Sequence, residues 1–80
     1  MSRTPRILII DDEPLMRISI SDALKEDGYS VSETDSGRQG ISQIKDISYD
    51  IVITDLRLPD VDGIEVLKAC KRHSPETLVI

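Results

Sequence analysis

The sequence predicts an α/β fold, a doubly wound parallel sheet, and three observations lead there. Two continuous apolar runs, residues 7–10 and 51–53, end on carboxylates: Asp11 and Asp12 after the first and, through Thr54, Asp55 after the second. Unbroken apolar runs of this length mark strands buried on both faces, as parallel strands are. Stretches with helical spacing follow the strands, so the order reads β-α-β-α-β-α-β, which requires right-handed crossovers. No domain boundary, repeat or low-complexity stretch interrupts it.

Taken in order, residues 1–5 read as a loose lead-in and residues 6–10 (RILII) as the first strand. Pro14 suits the first turn of a helix, where its missing N–H would be unpaired anyway. Asp12 or Glu13 is placed to cap that helix. Met16, Ile20, Ala23 and Leu24 fall at i, i+4, i+7 and i+8 and form its expected inner stripe as far as about Asp27, with Gly28 as the stop. Leu15 and Ile18 fall off the stripe. They are either scattered surface apolar residues or a small docking surface beside the acids.

Residues 29–35 alternate, with Tyr29, Val31 and Glu33 on one side, which marks a strand at or near a sheet edge. After the Ser36-Gly37 turn, a helix to about Ile47 turns Ile41 and Ile44 inward. The strand at 51–55 comes next. Past Pro59, residues 60–63 form a tight loop in which Asp62 is placed to cap a helix to about Arg72. Ile64, Val66, Leu67 and Cys70 lie on or near its buried side, and Lys68, Lys71 and Arg72 suit its negative end. Ser74-Pro75 ends it. Residues 77–80 begin a fourth strand, and the sequence halts inside it. That leaves an edge unpaired and a face under-covered, so residues 1–80 are expected to be one domain, incomplete at the C-terminus and truncated within the fourth strand.

Composition narrows the function. Apolar residues are 39% and charged residues 31%, a globular balance. Eighty residues make one small domain. Its 10 basic and 15 acidic residues give a net charge of -5, which argues against direct nucleic-acid binding by this segment. The lone Cys70 excludes an internal disulfide and reads as a small core residue, and the lone His73 reads as solvated, so neither supports a zinc site. The apolar run before Asp11 is too short for a signal peptide or a membrane span, which makes the cytoplasm the default location.

Asp11, Asp12 and Asp55 stand at the C-terminal ends of two strands expected to be adjacent, where open parallel sheets bind ligands. Singly, each has an ordinary use: a cap, a solvated strand end, a turn entry. Together they repel, by ~4 kcal/mol for charges about 4 Å apart at an effective dielectric of about 20. A cation, a shared proton or a basic side chain relieves this. A hard divalent ion such as Mg²⁺ suits oxygen ligands, and a carboxylate can also act as a nucleophile toward phosphorus.

Three stretches, residues 7–13, 51–55 and 58–63, strongly resemble the receiver domain of bacterial two-component response regulators. The paired acids and the spacing of Asp55, Pro59 and Gly63 carry the likeness, which runs from Arg6 to Ile80. The resemblance implies a flavodoxin-like fold and a phosphoacceptor, not a turnover enzyme. It matches Asp55 to the phosphoacceptor, Asp11 and Asp12 to the acids that bind Mg²⁺, and Arg57 to the position whose backbone carbonyl joins them. It matches the helix after Asp12, with Leu15 and Ile18, to the docking surface of a sensor histidine kinase. The family's hydroxyl residue, its lysine and its last two helices, which dimerise or signal to an output domain, fall past Ile80. A link to DNA or another output would run through that C-terminal region. A homodimer is the expected assembly if one forms. The N-terminal part is similar to receivers attached to ATPase-type transcriptional activators.

The alternative is a receiver-like binding module that works without phosphorylation, against which the intact acid trio counts. A phosphohydrolase with an aspartyl nucleophile would need a second acid two residues on, where Arg57 stands.

Overall fold

The expected elements are all present. β1 is Arg6–Ile10, α1 Pro14–Glu26, β2 Ser30–Thr34, α2 Gly37–Asp46, β3 Ile51–Thr54, α3 Gly63–His73 and β4 Leu78–Val79. The structure, a computed structural model, describes residues 3–80, so Met1 and Ser2 of the expected lead-in lie outside the described residues. The strands form one parallel sheet in the order β2-β1-β3-β4. After β2 the chain crosses β1 to enter β3, so the winding reverses between β1 and β3. A crevice opens there at the carboxyl ends of the strands.

Strand alternation divides the sheet into two faces. Leu8, Ile10 and Val52 point to one face and join Ile44 of α2, Val66 and Cys70 of α3, and Tyr49 and Leu58 from the loops in the main core. Each aliphatic side chain so buried contributes about 1.5–3 kcal/mol. Ile7 and Ile9 are buried on the other face, toward α1. Ile51 and Ile53 pair in register with Ile7 and Ile9 and share that face, but remain half-buried. β3 therefore differs from the expected strand buried on both faces: only Val52 is fully enclosed. The reason is that α1 packs chiefly over β2 and β1.

The inner stripe of α1 is also rotated from the expected one. Met16 is 55% exposed and Ala23 is exposed, while Ser21 is buried and Arg17, Ile20 and Leu24 are half-buried. Two polar contacts set this rotation. Arg17 donates through Nε to Glu33 at 3.1 Å and through Nη1 to the Asp11 carbonyl at 2.9 Å.

Helix ends follow the sequence, with Glu13 chosen from the two expected caps of α1 and one change at α3. Glu13, not Asp12, caps α1, accepting from Leu15 N–H at 3.1 Å. Asp62 stands at the start of α3, yet its side chain makes no capping bond. Gly28 closes α1 with φ of 94°, the left-handed conformation in which a side chain is disfavoured. In α3, Val66 and Cys70 are buried while Ile64 is 47% exposed, so the inner face is narrower than expected. Burial raises the Cys70 thiol above its ordinary value, consistent with a structural residue. The described part of the lead-in is fastened rather than loose. Arg3 pairs with Asp50 at 3.0 Å, and Asp50 accepts from Arg6 N–H at 2.7 Å, tying the starts of β1 and β3.

Candidate functional site

The two parallel ladders continue one residue past the strands and thereby place the acids. Asp11 N–H donates to the Thr34 carbonyl at 3.1 Å, and Asp55 N–H donates to the Ile10 carbonyl at 2.9 Å. Both residues are thus held by backbone bonds at the mouth of the crevice. Asp12 follows Asp11 as the chain turns into α1. One carboxylate oxygen from each of Asp11, Asp12 and Asp55 lies within 4.8 Å of the others. Asp11 is half-buried, and Asp12 and Asp55 are exposed. A depression of about 410 Å³ opens beside them, lined by Ile10, Asp11, Glu13, Met16, Ile53, Thr54 and Asp55.

The hydrogen bonding of these acids is sparse. Asp11 accepts from Glu13 N–H at 2.9 Å. Among the described residues, the side chains of Asp12 and Asp55 accept none. Their lone pairs face solvent and one another, which suits a hard cation with oxygen ligands. The span of 4.8 Å is comparable to the ~4.2 Å across an octahedral ion with bonds of about 2.1 Å, so the donor set fits Mg²⁺ with water completing the shell.

The loop after Asp55 is fixed at both ends. Gly63 N–H donates to the Leu56 carbonyl at 2.8 Å, and a backbone bridge pairs Arg57 with Asp62. Gly63 lies so close to the Asp55 carbonyl that a Cβ there would collide with it. This is the physical content of a glycine eight residues after the acid: α3 starts against the backbone of Asp55. The Thr54 hydroxyl donates to the Asp55 carbonyl at 3.0 Å from the other side.

The structure therefore brings Asp11, Asp12 and Asp55 together and puts Arg57 in the adjoining loop. Leu15 and Ile18 lie outside the cluster on α1, 76% and 46% exposed, three residues apart and so on neighbouring positions of the helix surface. Two residues that the sequence reading passed over adjoin the site. Arg17 holds the Asp11 carbonyl, and its place one turn into a helix that starts beside the acids was the available signal. Asp60 accepts from the start of α2, and no local pattern marks it.

Among the described residues, no helix is long and apolar enough to cross a membrane. The family model for the response regulator receiver domain matches residues 7–80. Regulatory protein AtoC of Escherichia coli is 38% identical over 80 residues, 100% of this chain and 17% of AtoC. A CheY-like receiver domain protein of Methanospirillum hungatei superposes with a TM-score of 0.93 at 27% identity, covering 96% of this chain and 62% of that one. The response regulator TrrA of Thermotoga maritima, solved in complex with Mg²⁺-BeF, gives a TM-score of 0.87 at 29% identity, covering 95% of this chain and 66% of TrrA. With a parallel sheet in the order 2-1-3-4, three clustered acids at its switch point and a family match over residues 7–80, this chain belongs to the response regulator receiver domain family, a phosphoacceptor module rather than a turnover enzyme.

Proposed function

We propose that Asp55 is the phosphoacceptor of a two-component signalling protein and takes its phosphoryl group from a sensor histidine kinase. The observation that carries this reading is the convergence of three carboxylates within 4.8 Å, with the side chain of Asp55 exposed and uncommitted. Asp11, Asp12 and Asp55, with the backbone carbonyl of Arg57, would hold Mg²⁺. When bound, Mg²⁺ supplies neutralisation of the charge that gathers as the phosphoryl group meets the carboxylate.

The chain's own residues account for the rest. The bond from Asp55 N–H to Ile10 holds the nucleophile at the crevice mouth. A carboxylate oxygen of Asp55 attacks phosphorus, a P–O bond forms, and the P–N bond to the donor imidazole breaks with its electron pair returning to nitrogen. Leu15 and Ile18 supply an apolar patch beside the crevice for the kinase. TrrA, which resembles this chain, has been solved in complex with the histidine kinase ThkA, which supports a kinase as the donor. The added charge on Asp55 would bias a two-state element and so reach an attached or partner output. We assign that output to transcription, on the resemblance to receivers of ATPase-type activators and on the similarity to AtoC. A cytoplasmic location accompanies this role.

The test is phosphotransfer from a labelled histidine kinase to the parent protein and to Asp55→Asn, with and without Mg²⁺. Label on the parent only, and only with Mg²⁺, is expected. Labelling of Asp55→Asn at the parent's rate and site would refute the assignment.

A further inference from the structure

Asp60 lies in the loop that follows Asp55 and is bonded quite differently from the acids of the cluster. Its carboxylate accepts from Gly37 N–H at 3.0 Å, Arg38 N–H at 2.9 Å, the Ser36 hydroxyl at 2.8 Å and Val61 N–H at 3.0 Å. The first three donors belong to the start of α2, more than twenty residues earlier in the chain. The amides of a helix's first turn have no partner within the helix. Ser36 satisfies one of them, accepting from Gln39 N–H at 3.2 Å, and Asp60 satisfies two others from across the loop. These donors hold the Asp60 carboxyl well below its ordinary value, the Arg38 amide first among them.

The contact is steric as well as polar. A Cβ on Gly37 would collide with the Val61 side chain, so the side chains of the loop pack directly on the backbone at the start of α2. The residues after Asp55 are thus held at two points: against α2 through Asp60, and against the Asp55 carbonyl through Gly63. Arg57 lies on the stretch whose course these two anchors fix.

We infer that Asp60 is a positioning residue of the site: anchored on the start of α2, it sets the course of the loop that carries the Arg57 carbonyl and leaves Asp55. This rests on the reading of the cluster as a Mg²⁺ site. A neutral amide cannot replace the carboxylate. Asparagine offers one acceptor oxygen, and its NH₂ group would face an N–H donor. A mere helix cap predicts only lost stability. A positioning residue also changes the metal affinity of molecules that remain folded.

The experiment is a Mg²⁺ titration followed by amide NMR, well below the unfolding transition, on the parent, Asp60→Asn, Asp11→Asn and Cys70→Ala. Cys70→Ala is the control for general destabilisation, since Cys70 lies on α3, outside both the loop and the start of α2, and makes none of the bonds to Asp60. Asp60→Asn is expected to weaken Mg²⁺ roughly tenfold, the low end for a group outside the metal's own ligands. Its spectrum should differ at Gly37, Arg38 and Arg57, and Cys70→Ala should keep the parent's affinity. Folded Asp60→Asn with the parent's affinity would overturn the inference. If Asp60→Asn does not fold, Ser36→Ala decides: it deletes one donor to the same carboxylate, and an unchanged affinity there would equally overturn it. Loss in Asp11→Asn with none in Asp60→Asn sinks only the positioning role. A parent blind to Mg²⁺ sinks the site reading and this inference together.

Discussion

Asp60 and Asp55 are five residues apart in one loop, and their surroundings are opposite. Asp60 accepts four hydrogen bonds and spends its charge on holding α2 to the loop. Asp55, with Asp11 and Asp12, sits among like charges within 4.8 Å, and one amide bond, from Glu13 to Asp11, is all that the three side chains accept among the described residues. A carboxylate surrounded by donors serves the fold. Carboxylates gathered with few donors keep oxygens open to a hard cation, which is the arrangement of a site rather than of a structural anchor. The difference also predicts opposite consequences of neutralisation: loss of stability at Asp60, and loss of function with little or no loss of stability at the cluster.

The largest effect is expected at Asp55. Asp55→Asn should abolish phosphorylation and leave stability within about 0.5 kcal/mol, as for surface changes that remove no bond. Phosphotransfer and denaturant unfolding on the same preparation would check both halves, and a large stability loss would place Asp55 with the structural acids. Asp12→Asn comes next. It should weaken Mg²⁺ at least about 100-fold, since even groups behind the ligands cost 10- to 100-fold. Its apo form should be no less stable than the parent, because a repulsion is relieved. Calorimetric titration and thermal melts read the two quantities.

Gly63→Ala sharpens the comparison from the side of the backbone. The new methyl would meet the Asp55 carbonyl, so unfolding should become easier by about 1–3 kcal/mol, and the amides of Asp55 and Leu56 should shift. An unperturbed spectrum would show that α3 does not bear on Asp55. The smallest effect concerns pH. The folded-state value of Asp60 lies below its unfolded one, so its stabilisation is present in full above about pH 4 and is lost as pH falls through the folded-state value. The gap in urea midpoint between the parent and Asp60→Asn should therefore be widest near neutrality and narrow in acid below about pH 3. A gap independent of pH would mean that the charge of Asp60 contributes nothing.

The architecture was legible in the sequence because its signals are local. Residues 7–10 and 51–53 are apolar runs bounded by acids, Gly28 and Pro75 punctuate the helices, and the acids stand where the runs end. The cluster was legible for the same reason: once two strands are adjacent and parallel, residues just past their ends must meet. What escaped depends on distant partners. Arg17 reads as a surface residue until Glu33, sixteen positions away, turns it inward and rotates Met16 out. Asp62 has the look of a helix cap and makes no capping bond, whereas Asp60 has no such look and caps a helix that ended before β3 began. The openness of β3 on the α1 face fits the under-covered sheet face expected from the sequence, but the apolar run did not place it there, because such a run records what a strand can bury, not what covers it.

In the proposed function, Asp11, Asp12 and Asp55 form one Mg²⁺ site in which Asp55 accepts a phosphoryl group. Amide NMR with Mg²⁺ followed by beryllofluoride, a tetrahedral stand-in for that group, tests it most directly. Mg²⁺ shifts should be confined to Asp11, Asp12, Asp55, Arg57 and their neighbours, and adding beryllofluoride should bring a second set that requires Mg²⁺ and is absent in Asp55→Asn. Beryllofluoride shifts that persist in Asp55→Asn, or a parent spectrum that Mg²⁺ leaves unchanged, would contradict it.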